Sequence, residues 1–112
     1  MGRTKFKLIT AIEAGIIVVA AHTVHAVTDS DVDALTTYAV LLGRASACGI
    51  DTNYESGRVG SWMDRNFTGR EKSVYLRIFM EGMYRHAKLQ SEGKSPDTCS
   101  DVRRTIQNMP LP

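Results

Sequence analysis

The chain has 112 residues, with 14 Lys and Arg against 12 Asp and Glu and only two cysteines. Three of those bases (Arg3, Lys5, Lys7) and one acid (Glu13) lie in the first 26 residues, so eleven of each remain beyond them. A neutral remainder of this size makes one small domain and gives no electrostatic case for binding nucleic acid.

The first 26 residues read as a targeting segment. A basic start is followed by an apolar run from Leu8 to Ala21 and then by Val24-His25-Ala26, an A-x-A-like end. This order is that of a secretory signal peptide, cleaved after Ala26. A membrane anchor fits less well, because Glu13 leaves only Ala14 to Ala21 unbroken, far short of the roughly 20 apolar residues a spanning helix needs. Export to the periplasm and no stable membrane anchor after cleavage are the expectations.

The remaining chain, 27-112, is expected to be all-α: a small four-helix domain. Asp29, Asp31 and Asp33 favour a helix start, with Ser30 as the expected cap. Val32, Leu35, Ala39, Leu42 and Ser46 then recur at three- and four-residue steps, and Gly49 ends the helix. A second helix is expected from Tyr54 to Asn66, with Val59, Trp62 and Met63 on one face. Gly57 and Gly60 within it suggest a place where a neighbouring helix comes close.

Thr68-Gly69-Arg70-Glu71 has the spacing of a capping box and opens the longest helix, which stops at Gly93. Its inward stripe is read as Val74, Tyr75, Ile78, Phe79, Gly82, Met83 and His86, with Arg77, Glu81 and Arg85 alternating in sign outside. The last helix is capped either by Ser95, with Pro96 at its first position, or by Thr98 with Asp101; Cys99, Val102 and Ile106 line one side. Pro110 and Pro112 end the chain in extended form.

Cys48 closes the first helix and Cys99 opens the last. In an exported chain with two cysteines, a disulfide between them is expected rather than a metal pair. A small core is marginal, and such a staple adds about 4 kcal/mol in the chain-entropy view.

Catalytic chemistry is sparse. His86 is the one histidine beyond the leader and reads as a packing residue. No phosphate loop, zinc motif or serine elbow occurs, and no metal or cofactor is implied. Glu55 with Asp64 could be imagined as a glycosidase pair, but both are better explained as surface charges. Asn66-Phe67-Thr68 matches the glycosylation sequon, a short pattern that arises often by chance. The remaining expectation is a non-enzymatic domain that binds a protein partner through Arg58, Trp62, Met63 and Arg65, an aromatic and arginine set of the kind that makes interface hot spots. The competing reading is that Trp62 and Met63 simply fill the core.

Tyr38-Ala39-Val40-Leu41-Leu42-Gly43-Arg44-Ala45, Ala47-Cys48-Gly49, Arg58-Val59-Gly60, Trp62-Met63-Asp64 and Ser95-Pro96-Asp97-Thr98-Cys99 together resemble the KikA-type small exported proteins of conjugative-plasmid transfer regions. The resemblance implies a periplasmic accessory of conjugation or type IV secretion, with no catalytic residue to carry over. Acid-stress chaperones of the HdeA type are similar in architecture only, since their tryptophan-cysteine start has no counterpart here. Immunity inhibitors of cell-wall hydrolases are a third small, helical, disulfide-bonded group.

Overall fold

A computed structural model describes residues 26–112; the expected signal peptide lies, except for Ala26, outside the described residues. The described chain is all-helical: α1 (Asp29–Ala47), α2 (Asn53–Asn66), α3 (Arg70–Ser91) and α4 (Cys99–Asn108), with no strands. Among the described residues, no helix is long and apolar enough to cross a membrane.

Short connections set the topology. Residues 48–52 turn the chain back from α1 into α2, and 67–69 turn it again into α3, so consecutive helices run antiparallel. Gly49 makes the first reversal possible. Its φ of 71° lets Gly49 N–H donate to the Ser46 carbonyl and Ile50 N–H to that of Ala45, the paired bonds of a Schellman end.

The helix starts differ in part from those read in the sequence. Thr28, rather than Ser30, caps α1, in a reciprocal box with Asp31. Thr28 stands three residues before Asp31, the spacing at which both reciprocal bonds close. The box expected at Thr68 does not form: Gly69 takes the N-cap position of α3 with φ 62° and offers no side chain to cap with. Thr98 with Asp101 is the cap of α4.

The core is gathered around α1. Leu35, Ala39, Leu42 and Ala45 from α1 meet Val59 and Met63 from α2, Phe67 from the turn, Phe79 from α3, and Val102 and Ile106 from α4. Each large side chain fully withdrawn from water contributes about 1.5–3 kcal/mol. A run of rings binds the layers further: Tyr38 to Trp62 and Trp62 to Phe67, both edge-to-face at 5.5 Å, then Phe67 to Tyr75 at 4.9 Å.

The tightest helix contact lies elsewhere than the sequence suggested. A methyl group on Gly57 or Gly60 would meet nothing within 4 Å, so among the described residues no helix packs closely against them. The close approach is made by Gly43, whose backbone lies against the Met83 carbonyl, and by Gly82, where an added methyl would sit 3.2 Å from the Ala39 side chain. Contact at 39 with 82 and at 43 with 83 also shows that α1 and α3 run in the same direction.

Cys48 and Cys99 are bonded, with their Cα atoms 5.5 Å apart and 51 positions from one to the other in sequence. Beside the bond, Arg44 pairs with Asp97 at 2.8 Å, and Gln90 Nε2 donates to the Asp97 carbonyl at 3.1 Å. The end of α1 is therefore tied covalently to the start of α4 and by charge to the linker that precedes it. The sign-alternating residues Arg77, Glu81 and Arg85 form no ion pair among the described residues.

Two outcomes follow for stability, measured by urea unfolding. Gly60→Ala raises it by roughly 0.5–1 kcal/mol, as expected for an exposed helix interior with room for a methyl, whereas Gly43→Ala lowers it by about 1–3 kcal/mol through overpacking. Replacing both cysteines by serine costs about 4 kcal/mol.

Candidate functional site

The four residues expected to bind a partner all lie on α2, yet the fold gives them different tasks. Met63 is 6% exposed and belongs to the core, so it presents almost nothing to a partner. Trp62 is half-buried and wedged between Tyr38 and Phe67. Arg58 holds the tail: its Nε and Nη2 donate to the Pro112 carbonyl oxygen at 3.1 and 2.7 Å, and its Nη1 donates to the Tyr54 hydroxyl at 3.2 Å. Arg65 is exposed and forms no ion pair among the described residues. The set is therefore a core residue, a wedge, a tether and an exposed cation.

The larger exposed apolar surface is on α3. Val74 and Ile78 were expected inside, but they are 53% and 48% exposed. The inward line of α3 runs through Tyr75, Phe79, Gly82, Met83 and His86, and Val74 and Ile78 stand well to one side of it. On the other side are Leu76, Met80 and Tyr84, which are also exposed. The helix is apolar over more of its circumference than one close neighbour, α1, covers.

Between α1 and α3, on the Ile78 side, lies a cleft of about 190 Å³. Leu35, Ala39, Val40 and Phe79 give it apolar walls, and Glu81, Arg85 and His86 stand at its edge. Among the described residues, no group of three or more potential metal ligands converges. Glu55 and Asp64 stand nine residues apart on α2 and so point to opposite sides; Asp64 is instead paired with Lys72 at 2.8 Å. The sequon is poorly presented, because Asn66 Nδ2 donates to the Trp62 carbonyl at 2.8 Å and Phe67 is fully buried.

His86 and Asp101 carry shifted pKa values. Burial, followed by the nearby charges of Arg44 and Arg85, lowers His86 below its usual 6.5. The backbone and side-chain bonds with Thr98, then the Arg104 charge, lower Asp101 below 3.8.

Comparison with protein-family models, with curated proteins and with solved structures finds no match to this chain.

The two shifts set an order of acid destabilisation. In each case the unfolded chain binds the proton more readily, so stability falls as pH drops through the unfolded value toward the folded one. The contribution of His86 is complete above about pH 6.5 and is lost below it; that of Asp101 is lost only below pH 3.8. Melting temperature followed against pH shows both declines, and His86→Gln removes the first while leaving the second.

Proposed function

We propose that this protein is a non-enzymatic periplasmic domain that binds another protein, as an accessory of conjugative transfer or type IV secretion. The leader is removed after Ala26, and the oxidising compartment forms the Cys48–Cys99 bond. The observation that carries the binding reading is the combination of that staple with exposed large apolar side chains on α3, above all Met80 and Tyr84 at 60% and 75%. Rigid apolar surface left open to water suits association. The compartment is supported by the leader pattern and by the disulfide, and the transfer role by the resemblance to KikA-type proteins.

Exposed apolar surface also suits an acid-stress chaperone, the alternative this molecule favours over an immunity inhibitor. A chaperone would loosen near pH 3 and bind an apolar dye; a domain that keeps its native spectrum there is none.

Affinity purification of the epitope-tagged chain from the periplasm of plasmid-bearing donor cells tests the main reading. The expected result is a mature mass beginning at Val27 with both thiols oxidised, co-purification of an envelope component of the transfer apparatus, and a lower transfer frequency when the gene is deleted. A retained leader, or unchanged transfer with no co-purifying protein, overturns it.

A further inference from the structure

One flank of α3 is apolar, open to solvent and only partly walled. Leu76, Met80, Tyr84 and Ala87 follow each other at three- and four-residue steps, which places them in one line along the helix. At the start of that line a cleft of about 170 Å³ opens, where Gly60, Met63 and Phe67 stand opposite Leu76. At its end a second, of about 350 Å³, opens where Ser46 and Ala47 of α1 stand opposite Tyr84 and Ala87. Met80 lies between them and is exposed. Both clefts open along this one line of α3, the first walled by α2 and the second by α1, and α3 rises about 17 Å from Leu76 to Ala87, three turns of a helix.

The wall opposite is low because Gly60 has no side chain. A methyl group there, or at Gly57 one turn earlier, would touch nothing. Both glycines weaken α2 without serving a close contact among the described residues, and at Gly60 the first cleft is open to the close approach of another backbone.

The rim on the α3 side is positive in balance. Arg70, Arg77 and Lys88 stand on the exposed ridge beside the apolar line with Glu81 as the one acid among them, and none of the three bases has an ion-pair partner among the described residues. On the α2 side, Asp64 is already neutralised by Lys72.

We propose that this apolar line and the clefts at its two ends form a groove that docks an amphipathic helix of a partner protein, its apolar stripe lying along Leu76 to Ala87, against α2 at one end and α1 at the other, and an acidic row facing Arg77 and Lys88. The proposal rests on the protein-binding reading above and adds which face binds and what kind of segment it takes. A second copy is the poorer occupant, since two grooves brought together would set two rows of unpaired cations against each other.

Two synthetic helical peptides with the same leucine and alanine stripe, one flanked by glutamates and one by lysines, are titrated into the oxidised protein by calorimetry. The glutamate peptide binds and weakens with added salt; the lysine peptide does not bind. Gly60→Leu, which fills the groove, and Met80→Glu each lower affinity at least about tenfold while the circular-dichroism melt stays intact. Combined Arg77→Glu and Lys88→Glu transfers the preference to the lysine peptide.

Equal binding of both peptides, binding of neither, or full affinity in Gly60→Leu overturns the proposal. So does a concentration-dependent dimer that Met80→Glu abolishes, which assigns the groove to a second copy. Photo-crosslinking residues placed at Met80, Arg65 and Arg103 in donor cells separate this inference from the broader one. Capture from Arg65 or Arg103 but not from Met80 leaves protein binding standing and removes the groove; capture from none of the three removes both.

Discussion

The contact of α1 with α3 at Gly43 and Gly82 positions everything else in this molecule. Where Gly43 lies against the Met83 carbonyl, no side chain of any size fits between the two helices. Backbones that close bring Leu35, Ala39 and Leu42 of α1 into one layer with Phe79 of α3. With this pair as the frame, α2 and α4 are laid against the remaining faces of α1, and short turns leave them little choice of direction. The disulfide acts on the frame rather than within it. It joins the end of α1 to the start of α4, and the Arg44 to Asp97 pair holds the intervening linker in the same place.

A long helix with one close neighbour leaves surface over. α3 spans 22 residues, and α1 buries little more than the line through Tyr75, Phe79, Gly82 and His86. Its flanks stay apolar and wet on both sides. One flank joins the cleft at Ile78 and the other the groove at Met80. Surface of this kind costs solubility and is not needed for packing, and it is on this surface that the proposed association rests. The balance of eleven bases and eleven acids beyond residue 26 hides an uneven arrangement. The start of α1 is acidic at Asp29, Asp31 and Asp33, whereas the ridge of α3 carries Arg70, Arg77, Arg85 and Lys88 against Glu81.

Much of the local structure was legible from residues alone. Helical periodicity found all four elements, because apolar spacing is a property of neighbours in the chain. The cysteine pairing was legible from their number and from the leader-like pattern at the start of the sequence. The Arg44 to Asp97 pair was missed, although a signal existed: the two residues lie four and two positions before the bonded cysteines, so pairing the sulfurs brings them together. The partner set on α2 was mixed for a related reason. A composition of aromatics and arginines does not say which side of the helix faces the core, and Met63 and Phe67 were drawn inside with Val59.

Sequence by itself determined the helices, their order, their main stops and the staple, since each depends on spacing, turn chemistry or the redox state of a compartment. Only the tertiary structure decided which glycines carry the close contact and which of the apolar flanks of α3 stay open. Both matters depend on what lies across from a residue in space, and Gly43 and Gly60 look alike until Met83 is placed against one and nothing against the other.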